Sequence, residues 1–419
     1  MKDLLRNTFA PVFSLLIIML GTSFFNTFVS VRISTDGWSN SLTGLVYSAY
    51  YLGMMLGAIY MEKVINRTGH IRAFSIFASC TATSILLQGF TVSPYAWLFF
   101  RLTMGAACAG LFIVIESWLL LLSSASTRGV VLSIYMVCLY TAQSLGQFIL
   151  NFVPIQSTTP FSLTVVFCTL SIIPVCLMRA AAPPVHESEY INIFYLLKKT
   201  PLGFVGNLIA GLILGSFYAL GPVYGKEIGL SIWQISLIMS VTIFGGMALQ
   251  WPIGLFSDLV ERRKVIITIA IVLLCISTIL FTVQNLPLPA LLFLLFFYGG
   301  FSFTLYPICI TYCCDFFSTS GITAVTCAAL IIYGIGCIIG PILSPLVMEA
   351  TTPSGLFLFT AFLSLILAIY ASWRQHILPS QPKDTKEPYQ AMPTTSPRAA
   401  DLDPRAESVD QNSQNSSCP

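Results

Sequence analysis

Twelve apolar runs of about 20 residues each follow one another along this chain up to residue 375, with most of the charge in the short stretches between them. A run of that length and polarity is stable as an α-helix in lipid, where every backbone N–H and C=O must find its partner inside the segment because no water is at hand. Composition agrees: charged residues are 9 % of the 419 and hydrophobic residues 56 %, whereas a soluble domain carries about a quarter charged residues. The expected fold class is an all-α polytopic membrane protein with twelve transmembrane helices in two six-helix bundles.

Read against the Pro and Gly breaks, the first six helices fall at about 9–30, 42–61, 73–90, 96–121, 130–152 and 161–180, and the second six at about 202–224, 232–254, 265–283, 288–312, 321–343 and 354–373. The first run follows Lys2 and Arg6 as a signal peptide would, but no small-residue cleavage site comes after it, so it reads as a retained helix. Four units result: an N-terminal bundle (1–180), a linker (181–201), a C-terminal bundle (202–375) and a tail (376–419). The tail is rich in Pro, Ser, Gln and Asn and is expected to stay unfolded, because it has too little apolar surface to offset the entropy of ordering.

Orientation follows from Lys and Arg, which collect in short cytoplasmic loops. Lys63, Arg67, Arg72, Arg128, Arg179, Lys198, Lys199, Arg262, Arg263 and Lys264 lie on one side of the expected membrane, and Arg32 and Lys226 on the other. Both termini are therefore expected in the cytoplasm. Cysteines such as Cys80, Cys108, Cys138, Cys168 and Cys275 sit inside apolar runs and read as packing residues. With three histidines (His70, His186, His376) and no zinc spacing, no metal or other cofactor is expected.

The stretch GLFSDLVERRKV (254–265) gathers Asp258, Glu261, Arg262, Arg263 and Lys264 between two apolar runs. It has a partner in the first half, GAIYMEKVINRTGHIRAF (57–74). Both follow the second span of a half and both combine glycine with basic residues, the internal repeat of a transporter built from two similar bundles. These loops resemble the loop motif of the major facilitator superfamily, roughly G-x-L-a-D-r-x-G-R-[RK]. Gly254, Asp258, Arg262 and Arg263 fit it, with Glu261 in place of the second glycine. Gly57, Gly69, His70 and Arg72 fit a stretched version in which Glu62 stands for the aspartate. The resemblance covers about residues 9–375, and segments such as IESWL (115–119), RGVVLSIYM (128–136), QWPIG (250–254) and YGIGCIIGP (333–341) make it similar to the bacterial YcaD-like branch. It implies a cytoplasmic gate made of Gly57, Gly69, Arg72, Glu116, Arg128, Gly254, Asp258, Arg262, Arg263 and Asp315, in a bacterial inner (plasma) membrane.

Arg101 lies about one turn inside the outer end of helix four. A charge there needs a polar cavity or a counter-charge, and its context, Arg101 followed by Gly105, is similar to the family's pathway arginine. Glu116, 15 residues on, is roughly 22 Å away along the helix, too far to pair with it. Gly105, Gly146, Gly336, Gly340 and Pro341 are expected at close helix crossings. Polar groups in mid-span supply the remaining pathway candidates: Asn26, Gln143, Gln147, Asn207, Tyr218, Gln250 and Tyr306.

The function expected from all this is secondary active transport of a small polar organic solute, anionic in view of Arg101, by alternating access and with protons as the coupling ion. Import and drug or metabolite efflux both fit, although helix five lacks the Gly-Pro pair of drug exporters. An enzyme would need clustered His, Asp and Glu near an interface, and a receptor would not need paired gate motifs. The expected partners are the solute, protons and the lipid bilayer; no nucleic acid is expected, and the unit is expected to be a monomer.

Overall fold

A computed structural model describes residues 2–124, 126–177, 193–283, 285–317, 321–377 and 387–405. Residues 178–192, with Arg179 and His186, and residues 378–386 and 406–419 of the tail lie outside the described residues. Twelve helices are long and apolar enough to cross a membrane: α1 (Thr8–Thr35), α2 (Asn40–Thr68), α3 (His70–Phe90), α4 (Pro94–Leu121), α5 (Arg128–Phe152), α6 (Thr159–Cys176), α7 (Pro201–Glu227), α8 (Ile232–Leu259), α9 (Arg262–Thr282), α10 (Leu288–Cys314), α11 (Ile322–Ala350) and α12 (Gly355–Ile377). Several outrun the apolar segments that announce them. α2 continues to Thr68 and α11 to Ala350, because a helix entering the headgroup region goes on satisfying its own backbone until a cap or a glycine stops it. Gly69 does so after α2 with a φ of 81°, a left-handed conformation that a Cβ disfavours.

The two halves repeat one packing scheme. In the first, α1 packs on α5, α2 on α4 and α3 on α6; in the second, α7 packs on α11, α8 on α10 and α9 on α12. The α2–α4 and α8–α10 crossings are built alike. Gly53 and Gly105 each face a backbone carbonyl of the opposite helix, Leu102 and Tyr50 respectively, as Gly245 and Gly299 do with Phe296 and Thr242. Small residues let backbones approach in lipid, where dispersion rather than hydrophobic exclusion holds helices together. Gly336 and Gly340 lie against the carbonyls of Leu208 and Leu212 in the α7–α11 crossing, and Gly146 against that of Leu20 in α1. At Gly146 the regular α-helix ends, and Gln147–Phe152 continue as a 3-10 turn.

The halves meet through α1 with α7, α2 with α11 and α5 with α8. Direct hydrogen bonds between them cluster toward the end that carries the α1–α2 and α7–α8 connections: Ser30 to the Ala219 carbonyl at 2.8 Å, Lys226 to Thr35 at 2.9 Å, Ser48 to the Ile338 carbonyl at 2.7 Å, Ser41 to Glu349 at 2.9 Å and Ser144 with Ser240 at 2.7 Å. At the opposite end, which carries the charged loops, the mouth between the halves holds residues 387–405. The expectation of an unfolded tail is corrected for this segment: Thr395, Ser396, Arg398, Leu402 and Asp403 are buried there, and Pro397–Leu402 form a 3-10 helix. The segment has little apolar surface of its own, but the mouth supplies partners that its composition does not reveal.

Candidate functional site

A cavity of about 170 Å³ lies between the halves. α1 gives it Asn26, α2 gives Tyr47, Tyr50 and Tyr51, the α5 break gives Gln143 and Gln147, α7 gives Tyr218, and α11 gives Tyr333. The polar groups are held by one another. Thr27 donates to Gln147 Oε1, Gln147 Nε2 donates to Ser23 Oγ at 2.6 Å, and the Tyr218 hydroxyl donates to Gln143 Oε1 at 3.4 Å. Four of the sequence candidates, Asn26, Gln143, Gln147 and Tyr218, thus come together. The three α2 tyrosines were missed, although their i, i+3, i+4 spacing puts them on one helix face; a signal existed in the sequence, but tyrosine in an apolar run also suits plain packing.

Arg101 stands one layer behind the cavity wall and is fully buried. Its Nη1 donates to Asn26 Oδ1 at 2.9 Å, and its guanidinium carbon lies 5.4 Å from the Phe25 ring, 5.0 Å from Tyr47 and 5.4 Å from Tyr50. Aromatic faces stabilise a cation without neutralising it, and Arg101 Nε and Nη2 have no hydrogen-bond partner among the described residues. By accepting from Arg101 through its oxygen, Asn26 keeps its amide N–H groups for the cavity it lines. Tyr306 sits behind Tyr333, their rings 4.6 Å apart. Asn207 donates to its own helix at the Gly203 carbonyl, and Gln250 is buried outside the cavity lining.

Most of the acidic and basic residues expected to form a gate fall into two clusters at the mouth. In the second half, Arg262 opens α9 and bridges Asp258 at the end of α8, at 2.9 Å, to Asp315 just beyond α10. The tail joins this cluster: Arg262 donates to the Glu387 carbonyl, Glu387 N–H donates to Asp315 at 3.1 Å, and Tyr389 N–H donates to Asp258 at 2.9 Å. The Tyr389 ring lies over Gly254, where any side chain would collide with it. Burial pushes the Tyr389 phenol well above its usual range, so it stays neutral. Arg263 pairs with Glu261 at 3.7 Å.

In the first half, Glu116 is fully buried and accepts hydrogen bonds from Tyr135 at 2.6 Å and from the hydroxyls of Thr395 and Ser396 in the tail. Glu62, on α2, pairs with Arg398 of the tail at 3.1 Å, and Arg398 also reaches Asp401 at 2.8 Å. Arg72 is exposed, and Arg128 is half-buried with its Nε unpartnered. Gly57 belongs to the α2–α4 crossing, against Ala106 and Ala109. The involvement of residues 387–405 was not visible in the sequence.

Two helical bundles with the same internal pairing, meeting around a shared polar cavity and carrying paired charge clusters at one mouth, define a membrane transporter rather than an enzyme. The chain belongs to the Major Facilitator Superfamily, whose family model matches residues 12–249 and 203–404. It is 28 % identical over 354 residues, 84 % of this chain and 91 % of the relative, to the uncharacterized MFS-type transporter YcaD of Shigella flexneri. In fold it is similar to the nucleoside transporter NupG (TM-score 0.71, 16 % identity, 89 % of this chain and 99 % of that one) and to a D-xylose-proton symporter (TM-score 0.69, 14 % identity, 90 % and 98 %).

Proposed function

We propose that this transporter carries a small polar organic solute with an anionic or strongly electronegative group, by alternating access and with protons as the coupling ion. The observation that carries the reading is the cavity wall around Arg101. The described lining residues include no charged side chain, yet a guanidinium that no carboxylate among the described residues neutralises lies directly behind Asn26, Tyr47 and Tyr50. A charge in a low-dielectric, water-poor site keeps a long reach, so it favours negative charge in the cavity. Arg101 acts through Asn26 and the tyrosine hydroxyls rather than by touching the solute. Both termini and the charged mouth face the cytoplasm in this reading, which rests on the Lys and Arg bias.

The test is uptake into proteoliposomes of radiolabelled organic acids and their neutral analogues, with and without a pH gradient. Arg101→Lys is expected to weaken uptake of an acid, because the flat guanidinium is lost although the charge stays, and Arg101→Ala to reduce it by roughly a hundredfold, the worth of a buried charge-assisted interaction of about 3 kcal/mol. Normal uptake of the acid by Arg101→Ala would remove the anionic reading. Topology has its own check: a cysteine at Asp36 should react with an impermeant reagent from outside intact cells, and one at Ser126 should not. Labelling at Ser126 would reverse the orientation.

A further inference from the structure

We propose that the mouth between the two halves is a peptide-binding site whose ligand is the chain's own segment 387–405, and that this docked segment seals the transport cavity on that face. Three observations support it together. First, the segment engages both halves at once: its first residues bond to Asp258, Arg262 and Asp315 of the second half, while Thr395 and Ser396 bond to Glu116 of the first and Arg398 forms an ion pair with its Glu62. Second, the contacts are of a recognising kind. Carboxylates accept from hydroxyls and from backbone N–H groups and pair with a guanidinium, charge-assisted contacts that are stronger than neutral ones and costly to leave unmade. Third, Thr394, Thr395 and Pro397 themselves line the cavity, so the segment forms its floor.

The segment is also braced for docking. Arg405 pairs with Asp403 at 2.6 Å and donates to the Pro388 carbonyl at 3.0 Å, which draws the two ends of the segment together. The Pro397 carbonyl accepts from Cys327 of α11 at 3.6 Å. The chemistry recognised is an extended peptide that presents two adjacent hydroxyls, then proline, then arginine, as in Thr395-Ser396-Pro397-Arg398.

The consequence, which rests on the alternating-access reading, is autoinhibition: solute leaves or enters by this mouth only when the segment has left. Docking itself is testable without any solute, because Cys108 and Cys337 line the cavity and are buried behind the segment. The full-length protein in detergent micelles is exposed to a bulky polar maleimide, and labelling at each cysteine is followed by peptide mass spectrometry. Ser396→Glu sets a second carboxylate against Glu116, and Arg398→Glu sets one against Glu62. Each is expected to speed labelling of Cys108 and Cys337 by roughly tenfold or more, the worth of one lost charge-assisted bond. Cys168 and Cys309, buried outside the cavity lining, report on unfolding and should stay unlabelled. Restoring the pair in reverse, Arg398→Glu with Glu62→Arg, is expected to bring labelling back toward the native rate. Native-rate labelling in both single variants, or fast labelling in the native protein, overturns the proposal. Should a single variant expose Cys168 or Cys309 as well, the reversed pair decides: slow labelling supports docking and fast labelling overturns it. Because no solute enters the assay, its failure leaves the transport reading standing.

Discussion

The mouths of the two halves solve one problem with differently sourced cations. Each half carries acids toward the same end of its second and fourth helices, Glu62 and Glu116 in the first, Asp258 and Asp315 in the second. In the second half the cation is local. Arg262 lies four residues after Asp258, just past a tight connection, and this spacing places it between both carboxylates, with its side chain only 1 % exposed. In the first half the motif's arginine, Arg72, sits ten residues after Glu62, on the exposed face of α3. The cation that meets Glu62 is instead Arg398, more than three hundred residues further along the chain. A partner four residues away stays at high local concentration whatever the bundles do, whereas a partner on a tail can leave. The two halves thus match in their acids and differ in the source of the cation, a loop residue in the second and a tail residue in the first.

Removing the local cation should have the largest effect. Arg262→Ala strands Asp258 and Asp315, and breaking a buried pair from one side costs about 3–5 kcal/mol; a lowered apparent melting temperature in detergent and much reduced transport are expected. Unchanged melting would mean that the second-half cluster is held by something other than its arginine, and the contrast between the halves would fall. At the small end, Arg72→Ala should alter transport by less than about twofold, since an exposed charge of this kind contributes little. A loss as large as that of Arg262→Ala would show that the first half, too, uses its loop arginine in some state of the cycle.

The number and placement of the helices, the two halves and the family were legible in the residues, because the lipid imposes a length and polarity that few other sequences show. Four cavity groups were legible for a related reason: an amide or phenol in mid-span is conspicuous where all else is apolar. Periodicity could not say which faces of these helices look inward, since both lipid and protein neighbours accept apolar side chains. For that reason Arg101 could be recognised as a charge needing company, but not as a residue set behind Asn26 and the tyrosines.

The tail marks the limit most clearly. Its composition says that it cannot build a core, and that remains true of the segment by itself. Whether it folds depends on an acidic mouth formed by the ends of α2, α4, α8 and α10, which approach one another only once both bundles are assembled. The sequence by itself determined that this chain crosses a membrane twelve times in two like halves, because hydrophobic length is a local property. Only the tertiary structure decided which residues line the cavity and that residues 387–405 close it, because those contacts join positions hundreds of residues apart and depend on the register of packed helices.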